Sequence, residues 1–467
     1  MKLNILFFLF LLINTNGYLF KNPILRINKN FKLNNCCNNH MENNNCYKKL
    51  GINNPNDLGV TNPNDITNPN DITNNKNDLG ESVEIVNKPD NVSLGNSLSL
   101  RKKFYRFGSQ PRLDYPNDRG QLTWYPIGFK NEFSAKPKIV TIRDKNYIVW
   151  KDKTKYYGLK DCCTHQGSSF MLGQVCKNTI SCPYHGYIFD GDTGNLVEIP
   201  KLNHANSSIY NIDCFKVVEK GDMVYLNTVV CTDDETKNKI DESLIFTEPE
   251  YYDSNQRCVF LQEDFEHNAK FISVNSLDIC HIGFVHTFGN KKSPNPVEHS
   301  HVLKLNDSDY HYKIIYNYVA GENSIVNLIY ALTNIVVENE YVLPHTTVAR
   351  VKFANFTSTI ITHALPVSKF KTKLFVKAYR SYWSYDLKNS KNYNLLFPFL
   401  YLVNKFADKI TEITMYDTLK QDKRIVDFIN KSNYIDMHGK FSIVYDKFSN
   451  HYKHNYKHFY EEGEHNM

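Results

Sequence analysis

Apolar and polar positions divide the chain into an N-terminal part without a folding pattern and a longer part with one. From residue 124 to 226, short β-type runs separated by turns predict a small all-β domain. Around residues 268–286, apolar residues recur at three- and four-residue steps and predict a helix. Strand-like runs at 310–320, 346–353, 357–365 and 373–382 come before a last predicted helix at about 405–430. We therefore expect an all-β domain followed by an α+β domain, an antiparallel sheet with helices.

The first hundred residues have the composition of targeting and spacer segments. Residues 1–17 join Lys2 to an apolar run at 5–13 that is too short to cross a bilayer, which predicts a signal peptide, with an N-terminal anchor as the alternative. Residues 18–50 carry basic residues and no acid before Glu42, which is typical of transit peptides, although codon bias toward Asn and Lys gives the same composition. Residues 51–100 contain the hexapeptide TNPNDI twice, which predicts a disordered spacer.

Composition excludes several classes of protein. With 41% hydrophobic residues and a mean hydropathy of −0.48, the 467-residue chain is neither wholly disordered nor a polytopic membrane protein. The net charge of +6 is too small to indicate nucleic-acid binding. The 11 cysteines are odd in number and irregularly spaced, which favours metal ligation and free thiols over a disulfide framework.

The predicted β domain contains two short motifs that each pair one cysteine with one histidine. Cys163 and His165 form the first motif, and Cys182 and His185 form the second. A two-iron cluster takes two thiolates on one iron and two imidazoles on the other, so each motif offers one ligand to each iron. A tetrahedral zinc site is the alternative, but zinc fingers usually pair Cys with Cys and His with His along the chain. The pattern therefore favours a Rieske [2Fe-2S] cluster.

A second group of candidate ligands lies on the predicted helix at 268–286. Asp278, His281 and His286 follow the pattern Asp-x-x-His-x4-His. Two histidines five residues apart do not share one face of a straight helix, so we expect the helix to end or distort between them, with Gly283 as the predicted position. Two imidazoles and one carboxylate on one side of Fe(II) leave positions open for oxygen and substrate. Two unrelated helix histidines are the alternative.

The sequences around these residues resemble one family. CTHQG at 163–167, CPYHGYIFD at 182–190 and NSLDICHIGFVHTFGN at 275–290 are similar to the Rieske non-haem iron oxygenases, and the resemblance spans roughly residues 101–438. WYPIG at 124–128 and the leader resemble the plastid group of that family: pheophorbide a oxygenase, chlorophyllide a oxygenase and the Rieske component of the inner-envelope translocon. The chain departs from the plant members, since it lacks their C-terminal Cys-x-x-Cys and its last residues are polar.

The resemblance implies a set of site residues. It implies that the [2Fe-2S] cluster is bound by Cys163, His165, Cys182 and His185. It implies that mononuclear Fe(II) is bound by His281, His286 and Asp422, with Asp417 and Asp408 as alternatives for the third ligand. Asp278 is then expected to bridge a Rieske histidine and an iron-ligating histidine, the Rieske histidine coming from the neighbouring subunit of a homotrimer.

The resemblance also implies a domain division and an activity. We expect a Rieske domain at 120–228, a mononuclear-iron catalytic domain at 229–445 and a polar tail at 446–467. The implied enzyme is a mono- or dioxygenase that uses O2 on an apolar small molecule, such as a tetrapyrrole of the pheophorbide or chlorophyllide type. A sterol-type oxygenase or desaturase is one alternative, and a redox component of plastid import without oxygenase activity is another.

The expected partners follow from what the sequence contains. No nucleotide-binding fingerprint follows a strand, so a separate ferredoxin or reductase must supply electrons. The leader and the resemblance together predict a plastid location. Residues 393–403 are apolar and aromatic, which predicts a core segment or a pocket wall, with contact to a membrane surface as the alternative.

Overall fold

The computed structural model describes residues 123–153, 155–201, 210–330, 334–387, 397–429 and 443–458. The predicted signal peptide at 1–17, the transit-like segment at 18–50 and the spacer at 51–100 lie outside these residues. All the described residues belong to one compact unit. No helix among them is long and apolar enough to cross a membrane.

The first domain consists of two antiparallel sheets. Its strands are β1 Trp124–Phe129, β2 Lys138–Ile142, β3 Lys145–Asp152, β4 Lys155–Lys160, β5 Val175–Cys176, β6 Thr179–Ser181, β7 Ile188–Asp190, β8 Leu196–Glu198, β9 Cys214–Lys220 and β10 Met223–Cys231. Six strands form the larger sheet in the order β1-β10-β9-β4-β3-β2, and the other four form the smaller sheet in the order β5-β6-β7-β8. This architecture confirms the predicted all-β domain.

The smaller sheet is held to the larger one by a shared apolar cluster. Ile148 and Trp150 from β3 pack in one cluster with Ile180 and Phe189 from β6 and β7, and all four side chains are fully buried. Cys163, which follows β4, and the cysteine that follows β6 belong to the same cluster. The core of the domain therefore fixes the base of both cysteine loops.

The second domain is built on an eight-stranded antiparallel sheet. Its strands are β11 Arg257–Phe265, β12 Glu298–His299, β13 Leu303–Lys304, β14 His311–Val319, β15 Asn334–Val342, β16 Thr346–Phe353, β17 Phe356–Ser368 and β18 Lys371–Arg380. Their order is β11-β18-β17-β16-β15-β14-β12, and β13 pairs with β14. The longest pair, β17 with β18, runs in continuous register from Ser358 opposite Arg380 to Pro366 opposite Thr372. The predicted antiparallel α+β domain is thus confirmed.

Helices cover this sheet and supply the second group of candidate ligands. The α-helices are α1 Asp234–Lys239, α2 Ala269–Leu277, α3 Ile282–Val285, α4 Ile325–Tyr330, α5 Phe397–Val426 and α6 Lys447–Tyr456. α5 contacts β11 and β18, and α2 contacts β17. α5 begins at Phe397, several residues before the start predicted near residue 405.

Residues 447–456 differ from the polar tail that their composition predicted. They form α6, in which Phe448, Tyr452 and Tyr456 are buried in the core of the second domain. The Tyr452 hydroxyl donates a hydrogen bond to the Pro344 carbonyl at 2.7 Å. Three aromatic residues at intervals of four lie on one helix face. Polar residues, including lysines and histidines, separate the three aromatic residues, so the average composition of the segment is polar although one face of the helix is aromatic.

The two domains are joined through packed side chains and backbone hydrogen bonds. Phe129 of β1 packs against Phe375 of β18 with ring centroids 5.6 Å apart. The backbone N–H groups of Arg143 and Asp144 donate to the carbonyls of Pro366 and Val367, at 2.8 and 2.9 Å. The turn between β2 and β3 is therefore fixed to the end of β17.

Candidate metal centres

The two cysteine loops of the first domain have the same backbone geometry. In each loop a glycine N–H, at Gly167 or Gly186, donates to the carbonyl of the cysteine four residues earlier, at 2.8 and 2.9 Å. Both glycines have a positive φ, 72° and 76°, a conformation that residues with a Cβ rarely adopt. The repeated turn orients Cys163 and Cys182 alike.

The four predicted cluster ligands meet at the end of this domain. Cys163 and Cys182 are buried, at 2% and 3% exposure, and lie close enough for their thiols to interact. His165 and His185 are exposed, with their Nδ1 atoms 3.2 Å apart. The arrangement places two sulfur ligands on the protein side and two imidazole nitrogens on the solvent side.

The chemistry of these donors fits a [2Fe-2S] cluster. Burial, with a further contribution from Cys182, raises the pKa of the Cys163 thiol. A buried thiol pair is a poor nucleophile and a stable protonated pair on its own, whereas bound iron stabilises the thiolates. The Nδ1 atoms of the two histidines face each other at 3.2 Å. Two thiols and two imidazoles in one place match the ligand set of a Rieske cluster.

The chain around the second group departs from the single predicted helix at 268–286. α2 ends at Leu277, and Asp278 has an extended backbone (φ −76°, ψ 122°) as its C-cap. The Asp278 carboxylate accepts the Cys280 N–H at 2.8 Å, which stabilises the turn before α3 begins. The break therefore lies between Asp278 and His281, before Gly283.

The predicted distortion at Gly283 is not found; this glycine instead allows a close approach of the chain. It lies inside α3, and a Cβ there would lie 2.7 Å from Pro294 Cβ and 3.0 Å from the Asn290 carbonyl oxygen. His281 and His286 are the N-cap and C-cap residues of this single-turn helix. One short helix thus separates the two histidines and allows both rings to turn toward the same point.

That point is next to Asp422, which α5 provides from a distant part of the chain. The Nε2 atoms of His281 and His286 each lie 3.5 Å from Asp422 Oδ1. One ligand atom from each of the three residues lies within 4.8 Å of the other two. Two imidazoles and one carboxylate in this arrangement could hold a divalent iron ion and leave its other positions open.

The opposite nitrogen of each ring is held by a neighbour. His281 Nδ1 lies 2.7 Å from the backbone carbonyl oxygen of Asp278, and His286 Nδ1 lies 3.2 Å from Gln421 Oε1. Each Nδ1 therefore donates, which leaves the Nε2 atom of each ring as the acceptor for a metal. The two Nε2 atoms are therefore suited to bind a cation, because each ring is held in the tautomer that leaves Nε2 unprotonated.

Burial and charge act in opposite directions on the two rings. Burial lowers the pKa of both histidines, and the Asp422 carboxylate raises it. For His281 the carboxylates of Asp422 and Asp278 outweigh burial, so its pKa is raised; for His286 burial dominates and its pKa is lowered. The negative charge that favours a proton at this point would equally favour a metal cation.

The other two candidates for the third ligand lie elsewhere on α5. Asp408 forms ion pairs with Arg257 at 2.5 Å and with Arg380 at 2.6 Å, and these hold its pKa below the usual range despite burial. Asp417 accepts a hydrogen bond from the Gln421 side chain. Of the three aspartates, the structure brings only Asp422 together with both histidines.

The predicted bridging residue, Asp278, lies at the edge of this site. Its side chain is 39% exposed, and its Oδ2 atom lies 3.9 Å from His281 Nδ1. Within the chain, the backbone carbonyl of Asp278 rather than its carboxylate therefore bonds to His281. The carboxylate faces outward beside the ligand ring.

Two residues of the site were not predicted from the sequence. Asn275 donates to Asp422 Oδ1 at 3.2 Å, and Gln421 contacts His286 as described above. Asn275 stands three residues before Asp278, one turn away along α2, and Gln421 directly precedes Asp422. Both residues lie close to predicted site residues in the sequence. Their contacts with Asp422 and His286, however, depend on how α2 and α5 pack.

A cavity of about 410 Å³ adjoins the second centre. His286 lines it together with Phe284, Thr287 and the loop residues Lys291 and Lys292. Glu322 also lines the cavity and forms an ion pair with Lys292 at 2.9 Å, so the lining combines an aromatic ring with charged side chains of both signs.

The first domain matches a known family model. The model of the Rieske [2Fe-2S] domain matches residues 123–216. The chain is 26% identical over 217 residues to cholesterol 7-desaturase of Caenorhabditis elegans, which covers 45% of this chain and 47% of that protein. It is 25% identical over 166 residues to the chloroplastic chlorophyllide a oxygenase of rice, Oryza sativa subsp. japonica, which covers 35% of this chain and 28% of that protein. It is 32% identical over 101 residues to the chloroplastic protein TIC 55 of pea, Pisum sativum, which covers 21% of this chain and 18% of that protein. Each match therefore spans less than half of the relative.

Solved structures share the fold over a larger part of the chain. The crystal structure of dicamba monooxygenase bound to dicamba has a TM-score of 0.59 at 17% identity and covers 74% of this chain and 99% of its own. The structure of NdmA from Pseudomonas putida with caffeine has a TM-score of 0.53 at 20% identity, covering 73% and 91%. These two structures therefore share the fold of both domains with this chain.

Proposed function

Because the chain is a Rieske-domain protein related to the Rieske non-haem iron oxygenases, we propose that it is an oxygenase with two iron centres. The observation that carries the proposal is the meeting of His281, His286 and Asp422 at one point, in a chain that also has two Cys–His loops. Neither set alone indicates an oxygenase, since a Rieske domain can serve electron transfer only. When held by these residues, the two iron groups would supply electron transfer and O2 chemistry for the oxygenation or dehydrogenation of an organic substrate.

Each residue of the second centre then has a defined task. His281, His286 and Asp422 hold the metal, and the backbone carbonyl of Asp278 and the side chain of Gln421 orient the two rings. Asn275 holds one oxygen of Asp422 by a hydrogen bond, which favours ligation through a fixed carboxylate geometry. The protein thus supplies a rigid set of donors and leaves the remaining metal positions to substrate and oxygen.

Exposed side chains at the edge of each centre support a contact between subunits of a homotrimer. His165 and His185 are exposed on the first domain, and the Asp278 carboxylate is exposed beside His281. A Rieske histidine of a neighbouring subunit could contact that carboxylate and give the electrons a short hydrogen-bonded route. A separate ferredoxin or reductase would reduce the cluster.

For the substrate, we propose an apolar tetrapyrrole of the pheophorbide or chlorophyllide type. The likeness to chlorophyllide a oxygenase supports this, and so does the cavity beside His286, which combines the Phe284 ring with the cation of Lys291; the cation of Lys292 is paired with Glu322. An apolar macrocycle with carboxylate side chains has complementary chemistry to such a lining. The second candidate is a sterol, which the match to cholesterol 7-desaturase favours.

The matches to chloroplastic proteins also support a plastid location. In this proposal the leader at 1–17 directs entry into the secretory route and residues 18–95 add plastid targeting. A reporter fused to residues 1–95 is expected in the plastid, and one fused to 1–17 is expected to be secreted. Accumulation of the longer fusion in the cytosol or in mitochondria would contradict the location.

The test of the activity is a single turnover with the chain loaded with iron and reduced under anaerobic conditions. Isotope-labelled O2 is added with a tetrapyrrole, with a sterol or without substrate, and products are analysed by mass spectrometry. We expect product from the tetrapyrrole and none from His281→Ala loaded in the same way. Product from the sterol alone would establish the second candidate. A cluster that is reduced and reoxidised without any product in the panel would favour a redox component without oxygenase activity.

A further inference from the structure

The imidazole of one predicted cluster ligand lies flat on a tyrosine ring from the other cysteine loop. The rings of His165 and Tyr187 have centroids 4.8 Å apart and planes inclined by 7°. This corresponds to the offset-stacked arrangement that aromatic rings favour. His165 belongs to the first loop, whereas Tyr187 follows the second loop and directly precedes β7. The contact therefore links the two loops on the side where their histidines face each other.

Tyr187 is itself anchored to the core of the first domain. Its ring packs against the apolar cluster that contains Cys163 and Cys182, and its backbone carbonyl accepts the Cys182 N–H at 2.7 Å. The tyrosine beside the second histidine differs: the Tyr184 ring contacts His185 but is 62% exposed. Tyr187 therefore connects a histidine ring to the rigid core, which an exposed ring does not.

Stacking takes the place that hydrogen bonds have at the second centre. There, the Nδ1 atom of each histidine is held by a carbonyl or an amide oxygen. In the first domain the Nδ1 atoms of His165 and His185 face each other, and among the described residues no hydrogen bond holds the outer nitrogen, Nε2, of either ring. The plane of the His165 ring is thus fixed from its face, by Tyr187.

The face of an aromatic ring carries partial negative charge, so Tyr187 also acts on the imidazole electrostatically. An imidazole bound to iron is more positive when the iron is oxidised, and a ring face against it stabilises that state. We propose that Tyr187 is a positioning residue of the [2Fe-2S] centre, which orients the His165 ring and lowers the reduction potential of the cluster. The inference rests on the cluster proposed above and adds to it a residue that binds no metal itself.

Three changes at position 187 separate the ring from the rest of the side chain. Tyr187→Phe removes only the hydroxyl, and Tyr187→Leu removes the ring but keeps apolar bulk. Pentafluorophenylalanine at this position keeps the ring shape and reverses the charge of its face. Tyr157→Leu is the matched control, because Tyr157 lies in the same apolar cluster and stacks on Trp150, at 5.3 Å, rather than on a histidine. The reduction potential and the electron paramagnetic resonance of the reduced cluster are measured in each anaerobically reconstituted full chain.

We expect Tyr187→Phe to match the unmodified chain and Tyr187→Leu to raise the equilibrium constant of reduction about two- to fivefold, the size of a cation–π contact near the surface. For one electron this is a rise of about 20–40 mV, at 59 mV for a tenfold change. The resonance of Tyr187→Leu should also broaden, because the His165 ring is less restrained. The pentafluorophenylalanine chain should have a raised potential with a narrow resonance, because its ring still orients His165.

Equal potentials of Tyr187→Phe and the pentafluorophenylalanine chain would overturn the inference, and this comparison decides it even where Tyr187→Leu loses the cluster. A shift in Tyr157→Leu as large as that in Tyr187→Leu would overturn it too, since general loosening of the core would then explain both. An unmodified chain without a Rieske resonance would contradict the proposed function itself, and this inference with it.

Discussion

Three aspartates on one helix, Asp408, Asp417 and Asp422, differ in function because they differ in their partners. Asp408 is neutralised by two arginines, Asp417 bonds to Gln421, and Asp422 lies between two imidazoles. At the scale of single residues, the contacts of each proposed ligand therefore decide which side chains form the site. The opposite nitrogens of the histidine rings are occupied by a backbone carbonyl and an amide, so their free nitrogens converge.

We expect Gln421→Ala to weaken metal binding at the second centre by about 10–100-fold, because the His286 ring loses the partner that orients it. The measurement is an anaerobic Fe(II) titration of the full chain with its cluster already loaded. Thr418→Ala is the control, since the Thr418 hydroxyl donates to the Thr414 carbonyl within the same helix. Unchanged affinity in Gln421→Ala would mean that packing alone orients His286.

Asp278→Asn should leave iron at both centres, because the carbonyl that holds His281 Nδ1 belongs to the backbone and remains. The outward carboxylate is lost, so we expect the reduced cluster to be reoxidised at least about tenfold more slowly in O2 and substrate. Rapid-mixing absorbance of the prereduced cluster measures this rate, with iron content determined on the same sample. Loss of mononuclear iron would instead make Asp278 a ligand, and an unchanged rate would show another electron path.

Much of the metal chemistry could be predicted from the sequence, since ligand spacing is a local property. The loops around Cys163 and Cys182 repeat the same turn, and each turn depends on residues within five positions. The contacts of Asn275 and Gln421 could not be predicted, because α2 and α5 are far apart in the chain and meet only after folding. The position of the helix break was also missed, because Asp278 caps the turn through its own side chain whereas Gly283 is needed for packing against Pro294.

At the scale of elements, the second centre depends on three helices that end or pass at one place. α2 ends before the turn, α3 carries both histidines at its ends, and α5 passes behind them with Asp422. α6 packs on α2 and places Phe448, Tyr452 and Tyr456 in the core beneath the sheet. Strands β11 and β15 were not predicted from the sequence, because polar residues interrupt their apolar positions. Their pairing with neighbouring strands in the sheet stabilises them as strands.

Phe448→Ala tests whether α6 is part of the core. Because Phe448 is 1% exposed, we expect a loss of about 3–5 kcal/mol in the free energy of unfolding from lost burial and the cavity left behind. Urea unfolding followed by circular dichroism measures it. Val444→Ala, at a side chain 62% exposed, should change stability by no more than about 0.5 kcal/mol. Equal stability of the two variants would mean that residues 447–456 do not contribute to the core.

At the scale of the whole molecule, the two domains share an apolar core. Leu365 and Phe375 of the second domain belong to the same buried cluster as Phe129 and Val224 of the first. Phe129 contacts both Phe375 and Phe260, with ring centroids 5.6 and 5.0 Å apart. A shared core predicts that the domains unfold together.

We therefore expect the visible absorption of the cluster and the far-ultraviolet dichroism to be lost in one coincident thermal transition. Phe129→Ala should lower the midpoint temperature of the transition equally in both signals, because the Phe129 ring packs against the second domain. Val230→Ala, at an exposed side chain of β10, is the control and should shift neither. Two separated transitions in the unmodified chain would show that the domains are independent.

The measurement that tests the central claim most directly is the iron and acid-labile sulfide content of the anaerobically reconstituted chain, combined with electron paramagnetic resonance. A [2Fe-2S] cluster plus one mononuclear iron predicts about three iron to two sulfide, and Asp422→Ala should fall to about two to two while the Rieske resonance remains. Glu412→Ala, which removes a carboxylate of the same helix that pairs with Lys409 and touches none of the proposed ligands, should match the unmodified chain. If Asp422→Ala kept the third iron, or if the unmodified chain never bound more iron than its cluster requires, the account of a two-centre oxygenase would be contradicted.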